Sequence, residues 1–437
     1  MMKSDMMEIK PLHNVDAVIT VPGSKSYTQR AMVLAALAQG ESVLLNPLIA
    51  EDTMLLLDAL QDLGADITIG EGGFHVTGTG GSITPLKNGQ QISLGNNGTA
   101  MRLLIAIAAL GRGDYILTGG PRLCERPVQP LIGALAQLGG SAQSLNANGC
   151  PPVLVIGGGL RGGRAVLENI ESSQFISSLL MAAPLAGNDV EIEVRGEIPS
   201  RPYVDLTIQA MADFGIEARQ RDNVYLVKAG HKYNARNYRI EGDASSASYF
   251  FAAAALCGGR VRVLNINPET RQGDIGILAI LEQMGCRINK GNYGVEVEGG
   301  DLTSGELSFD MGDMPDVVPT VAVLAAMRPG RTVITNVAHL RVKESNRLKA
   351  LVTELRKTGI NAEELSDGIA IEGGSPRGAA IETYNDHRIA MSFAVLGLAV
   401  PGMRIMNPDC VSKSFPDFWK VLEKLNKNNF PYQVPLS

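Results

Sequence analysis

Six times along the 437-residue chain, a polar or charged cluster runs into an apolar stretch of helical length that ends at a glycine. The stretches open at Ser24 (SKSYTQRAMVLAALAQG), Asn96 (NNGTAMRLLIAIAALGRG), Ser172 (SSQFISSLLMAAPLAG), Asp243 (DASSASYFFAAAALCGG), Asp313 (DMPDVVPTVAVLAAMRPG) and Asn385 (NDHRIAMSFAVLGLAVPG). A helix that is apolar around its whole circumference belongs inside a core. The glycines Gly40, Gly113, Gly187, Gly259, Gly330 and Gly402 recur in steps of 71 to 74 residues. Strand-like sequence follows each one: ESVLLN, DYILTG, NDVEIEV, RVRVLN, RTVITN and MRIMN. A loop and a second, amphipathic helix come next. Five of these helices end in one C-cap pattern, LQDLGAD, LAQLGGS, MADFGIE, LEQMGCR and LRKTGIN, at Gly64, Gly139, Gly215, Gly285 and Gly359.

The pattern predicts a unit of helix–strand–loop–helix–strand–strand, about 72 residues long, repeated six times. The sixth unit stops early, in FPDFWKVLEKLNK, and the N-terminal MEIKPL could supply its missing strand and close the chain head to tail. Solenoid repeats usually run ~20–50 residues. Six units of this size suit an α/β protein of two domains with three units each. The expected division is residues 1–20 plus 242–437 against 21–241, with crossovers near Thr20–Val21 and Ile240–Gly242.

Composition narrows the function. Hydrophobic residues make up 45% and charged residues 19% of the chain, and the net charge is −6. That balance excludes wholesale disorder and general nucleic-acid binding. The five cysteines form no CxxC pair, which fits a reducing compartment with neither a disulfide framework nor a zinc site. No apolar run reaches the ~18 residues of a membrane span. A cytoplasmic protein without membrane contact is expected, and monomer is the default because no exposed apolar repeat face stands out.

The cations of this acidic chain sit at repeat-equivalent places. Lys25, Arg30, Arg102 and Arg388 lie in or just after the helix openings, and Arg126, Arg201, Lys343, Arg347 and Lys413 lie in the loops after the strands. Helix N-termini with Lys and Arg beside them are what phosphate and carboxylate groups need. Ser, Asn and Asp at the openings are by themselves ordinary N-caps. RVKESNRL places Lys343, Glu344 and Arg347 at a helix start, with 343 and 347 on one face, and DMPDVVPT places Asp313 and Asp316 at another. These carboxylates suit acid–base work or capping equally well. Glycine-rich phosphate loops, nucleophile elbows and metal-ligand spacings are absent from the sequence.

Ten ordered segments, PGSKSYTQR, LGNNGTAMR, RPVQPL, SSQFISSLLMAAPL, SRPYVDLT, GDASSASYF, MPDVVPT, RVKESNRL, TYNDHRIAMSFA and SKSFPDF, resemble those of the 5-enolpyruvylshikimate-3-phosphate synthases, a branch of the enolpyruvyl transferase family. The resemblance runs from about Pro22 to Pro416. It implies two domains of three βαβαββ units, crossed twice by the chain, with the active site in the interdomain cleft. The implied activity moves the enolpyruvyl group of phosphoenolpyruvate to the 5-hydroxyl of shikimate 3-phosphate, in chorismate and aromatic amino-acid biosynthesis, and releases phosphate without a cofactor.

Motif by motif, the resemblance assigns Lys25, Ser26, Arg30, Ser172, Ser173, Gln174, Ser200, Tyr203, Asp316, His339 and Lys343 to shikimate 3-phosphate. It assigns Lys25, Asn96, Gly98, Arg126, Gln174, Arg347, Arg388 and Lys413 to phosphoenolpyruvate. Glu344, Asp316 and Lys25 take the catalytic proton transfers. The chain departs from the family pattern at Asn97, where a small residue is common, at Leu103, where Pro is common, and at His339, where Asn is frequent. Asn97 and Leu103 are expected to push the start of their helix towards the phosphoenolpyruvate pocket and weaken the competing inhibitor glyphosate. Two rival readings remain. One is UDP-N-acetylglucosamine enolpyruvyl transferase, whose reactive cysteine position aligns with Pro121 rather than Cys124. The other is a non-catalytic anion-binding relative, disfavoured by the intact Asp316, Lys343, Glu344 and Arg347.

Overall fold

In the computed structural model, which describes residues 6–87, 89–292 and 294–426, the apolar stretches become helices Lys25–Leu37, Gly98–Ala109, Gln174–Ala182, Ala244–Cys257, Val318–Met327 and His387–Ala399. Nearly every residue of these six helices is buried. The second helices, such as Glu51–Asp62 and Arg347–Lys357, bury one face only. The five glycines that follow them, Gly64, Gly139, Gly215, Gly285 and Gly359, all take positive φ between 85° and 107°, the left-handed C-cap conformation that a Cβ disfavours.

The described strands form five four-stranded sheets and one three-stranded sheet. All five larger sheets share one plan. An edge strand runs parallel to the central strand, which pairs antiparallel with the last strand, and that one pairs antiparallel with the other edge. Gly163–Glu168, Val190–Arg195, Val224–Val227 and Ala218–Arg221 are one example. In three of these sheets the parallel pair brackets one buried helix as a βαβ crossover.

Two sheets take their parallel edge from far along the chain. Asn237–Arg239 pairs with Gln39–Leu45, and Val15–Ile19 pairs with Gly259–Val263. Met6–Glu8 completes the sixth sheet by pairing antiparallel with Arg404–Met406, so the N-terminus does supply the strand missing from the last repeat.

The asparagines that end several central strands have a repeated job. Asn46, Asn336 and Asn407 adopt left-handed φ of 55°, 61° and 46°, which Asn tolerates better than most residues. Their side chains donate to Ile240 O, Asp310 Oδ1 and Asn385 Oδ1, at or just past the end of the parallel neighbour. Asn265 does the same for Val21, donating to its carbonyl and accepting its N–H.

The chain divides into two compact units. One comprises Gly23–Glu241 and Val342–Glu344, and the other the rest of the described chain. Each has its own apolar core, built on three of the buried helices.

Candidate active site

In the Gly23–Glu241 unit, the helix starts gather three polar clusters. The Lys25 ammonium lies 3.4 Å from Asp52 Oδ2. Asn97 caps the Gly98–Ala109 helix by accepting from Ala100 N at 2.9 Å, while its Nδ2 donates to the Asp52 carbonyl at 2.7 Å and to Gln29 Oε1 at 3.0 Å. Its side chain is therefore turned into the protein and fully engaged. Sequence showed Asn97 only as a larger residue beside Gly98 and did not reveal these partners. Gly98, the next residue, has the buried Arg126 guanidinium against its backbone, and a Cβ built there would lie 2.4 Å from Arg126 Cζ.

The second cluster centres on Arg102, the one charge in an otherwise apolar helix. It donates to Gln174 Oε1 at 2.9 Å, to Ser172 Oγ at 3.3 Å and to the Pro127 carbonyl at 3.4 Å, and its guanidinium lies over the Phe175 ring. Gln174 Nε2 donates in turn to Thr99 Oγ1 at 2.9 Å. Burial, and then the like charge of Arg126, pull the Arg102 pKa down to about 9. Sequence reasoning counted Arg102 as a cation and missed its role in fixing Ser172 and Gln174. The signal was its isolation in an apolar run.

Arg30 makes the third cluster. It is 1% exposed and donates to Thr207 Oγ1, Ser177 Oγ and the carbonyls of Ser26 and Tyr203. Burial lowers its pKa to about 10. The arginine thus ties three helices together around Ser26 and Tyr203. Ser173 is buried at the cap of the Gln174 helix. Ser200 holds a left-handed φ of 57°, unusual outside Gly, Asn and Asp, and its carbonyl accepts from Tyr203 N. Asn96 sits half-buried in the turn before the Asn97 cap.

In the other unit, Asp316 lies between two arginines. Arg347 Nη1 donates to its Oδ1 at 2.9 Å and Arg388 Nη2 to its Oδ2 at 2.6 Å. Asp386 holds the far side, accepting from Arg347 Nε at 2.9 Å, Ser345 Oγ at 2.9 Å and Arg388 N at 3.0 Å. Burial works against the Arg388 charge, but Asp316 and further anionic neighbours outweigh it and hold the pKa well above the usual arginine value. Lys413 is buried at the end of the turn Pro408–Lys413. His339 is half-buried in the turn Ala338–Val342.

Asp313 is exposed, whereas Asp316 accepts from both arginines. One expectation fails here. The helix begins at Arg347, capped by Asn346, so Lys343 and Glu344 lie in the preceding bends, and helical spacing does not place Lys343 on the face of Arg347. Among the described residues, no group of His, Cys, Asp or Glu side chains could hold a metal ion, and no helix is long and apolar enough to cross a membrane.

Residues 9–422 match the model of a family described as EPSP synthase (3-phosphoshikimate 1-carboxyvinyltransferase). A 3-phosphoshikimate 1-carboxyvinyltransferase of Syntrophobacter fumaroxidans is 46% identical over 428 residues, covering 95% of this chain and 99% of that protein. One from Trichormus variabilis is 45% identical over 408 residues, covering 93% and 95%. A solved structure of EPSP synthase from Acinetobacter baumannii superposes with a TM-score of 0.81 at 29% identity, covering 96% of this chain and 98% of that one.

Proposed function

The chain belongs to the EPSP synthase family, and from that premise we propose that it transfers the enolpyruvyl group of phosphoenolpyruvate to the 5-hydroxyl of shikimate 3-phosphate. The observation that carries the site assignment is the Asp316 carboxylate held by two buried arginines, Arg347 and Arg388. Both cations are desolvated and aimed at one carboxylate, which is the arrangement that an incoming anion can enter by exchange.

In this reading, Lys25, Ser26, Arg30, Ser172, Ser173, Gln174, Ser200 and Tyr203 hold shikimate 3-phosphate, together with Asp316, His339 and Lys343. Lys25, Asn96, Gly98, Arg126, Gln174, Arg347, Arg388 and Lys413 hold phosphoenolpyruvate. Both sets act on one pair of substrates.

The chemistry follows from that exchange. Both oxygens of Asp316 accept from arginine, an arrangement that makes a carboxylate a weak base. When phosphoenolpyruvate takes over Arg347 and Arg388, Asp316 loses donors and gains proton affinity. It then accepts the proton of the 5-hydroxyl, with Lys25 assisting, as that oxygen attacks C2 of phosphoenolpyruvate. Glu344 delivers a proton to the methylene carbon. The tetrahedral ketal phosphate that forms expels phosphate, and its methyl group gives up a proton to restore the double bond. The surrounding cations stabilise the charge on phosphate and carboxylate throughout. The protein works as a cytosolic monomer without metal or organic cofactor.

Phosphate release tests the reading. Release with phosphoenolpyruvate and shikimate 3-phosphate, and none with UDP-N-acetylglucosamine as acceptor, is expected. The reverse preference would place the chain with the sister transferase, and no release with either would make it a non-catalytic anion binder.

A further inference from the structure

Glu354 is a carboxylate that the proposed mechanism does not use. It lies in the Arg347–Lys357 helix and is fully buried, at 0% exposure. Three donors converge on it. Tyr384 Oη donates to its Oε1 at 2.6 Å, Glu382 N donates to its Oε2 at 3.1 Å, and Lys357 Nζ lies 2.8 Å from Oε2. Glu382 and Tyr384 belong to the segment that leads into the His387–Ala399 helix, which carries Arg388.

That segment is strained. Asp386 N donates to Thr383 O at 2.8 Å, closing a turn whose two central residues, Tyr384 and Asn385, both have a φ of 54°. Positive φ at both centres favours Gly, Asn and Asp, and an aromatic residue there persists only where its surroundings hold it. Asn407 Nδ2 holds Asn385 by donating to its Oδ1 at 3.2 Å. Glu354 holds the other side, gripping the backbone before the turn and the side chain of its first central residue.

We propose that Glu354 is a positioning residue for phosphoenolpyruvate binding, acting through the Tyr384 turn on Asp386 and its two arginines. The inference rests on the functional reading above. Arg347 opens its helix, and Glu354 lies seven residues on, along the same face. Asp386 directly follows the turn and accepts from Arg347 Nε and from Arg388 N. One helix therefore meets the incoming segment at two points, Arg347 at Asp386 and Glu354 at the turn before it. In the proposed mechanism both arginines leave Asp316 for the substrate, and Asp386 remains as their support. Without the Glu354 anchor the turn relaxes towards negative φ and carries Asp386 away from Arg347.

The test is steady-state kinetics of three variants. Tyr384→Phe deletes one hydroxyl from a residue that is 44% exposed, and Glu354→Met deletes both acceptor oxygens at similar length. Each should raise the Michaelis constant for phosphoenolpyruvate by about threefold to tenfold, the net worth of roughly one hydrogen bond. Because the arginines hold substrate and transition state alike, kcat should stay within about twofold, as should the Michaelis constant for shikimate 3-phosphate. Glu354→Gln is the rescue. Its amide accepts from Glu382 N and donates to the Tyr384 hydroxyl, so only the Lys357 pair is lost, and all constants should stay within about twofold of the wild type. A merely structural role would reduce the fraction of active enzyme, lowering kcat and leaving both Michaelis constants in place.

An unchanged phosphoenolpyruvate Michaelis constant in Tyr384→Phe overturns the inference, and that variant decides the matter if Glu354→Met does not fold. Equal shifts for the two substrates, a loss confined to kcat, or a Glu354→Gln variant as defective as Glu354→Met overturn it as well. Wild-type turnover is measured first. An inactive wild type overturns the functional reading and this inference together, whereas an active wild type with any of those results overturns this inference alone.

Discussion

Arg347 Nε donates to Asp386 Oδ2 at 2.9 Å, and both side chains are sealed from solvent, at 1% and 0% exposure. Removing one member of such a pair leaves a buried charge uncompensated, at a cost of roughly 3–5 kcal/mol. Asp386→Ala should therefore lower unfolding stability by about that amount, read by denaturant titration, and should weaken phosphoenolpyruvate binding because Arg347 is no longer held. A variant as stable as the wild type would mean that Asp316 alone suffices to fix Arg347.

The proton transfers assign distinct outcomes to the two carboxylates. Glu344→Gln keeps the shape and removes the acid, so turnover should fall by roughly 10²–10⁴-fold with little loss of shikimate 3-phosphate affinity in calorimetry. Asp316→Asn should also slow turnover, and should disturb Arg347 and Arg388, which both donate to it. Near-normal turnover in both variants would contradict the assigned roles.

Glyphosate sensitivity is expected to depend on Gly98 and Leu103. A methyl at position 98 would meet Arg126 Cζ and Nη1 at 2.4 Å, closer than real contacts allow, so the guanidinium must move. Gly98→Ala is expected to raise the Michaelis constant for phosphoenolpyruvate, and the glyphosate inhibition constant by a larger factor. Leu103 is buried and its carbonyl accepts from Ser178 Oγ. It also retains the N–H that Pro would delete. Inhibition should be competitive with phosphoenolpyruvate and weaker than in Leu103→Pro, and equal inhibition constants in the two proteins would remove Leu103 from the explanation.

Asn97 acts on the helix cap and on the Asp52 carbonyl. Asn97→Ala loses the cap to Ala100 N and strips the Asp52 carbonyl and Gln29 of a donor. A thermal or denaturant melt should show a loss of about 1–2 kcal/mol. An unchanged melt would mean that water replaces all three bonds.

The repeat was legible because its punctuation is local. The C-cap glycines, the polar helix starts and the all-apolar helices each report on backbone conformation or burial within one turn. Met6–Glu8 could be placed in the last sheet because one repeat lacked a strand. The partners of the charged residues were not legible, because they depend on which helix starts converge. Asp316 and Arg347 stand at the starts of two different helices of the fifth repeat and Arg388 in the sixth, and Arg30 bonds to Thr207, 177 positions away. Asn97 was legible as a departure in size but not as a cap tied to Asp52 and Gln29, because sequence gives a side chain's size without its direction. Lys343 read as helical because the Asn346 cap, three residues on, was not recognised as the boundary.

Transfer of the enolpyruvyl group by addition and elimination is tested most directly by turnover in deuterium oxide, with the products followed by nuclear magnetic resonance and mass spectrometry. The account predicts free phosphate and a 5-enolpyruvyl ether of shikimate 3-phosphate whose methylene carries deuterium, because the carbon is protonated and deprotonated within the cycle. An ether formed without deuterium, or phosphate released without that ether, would contradict it.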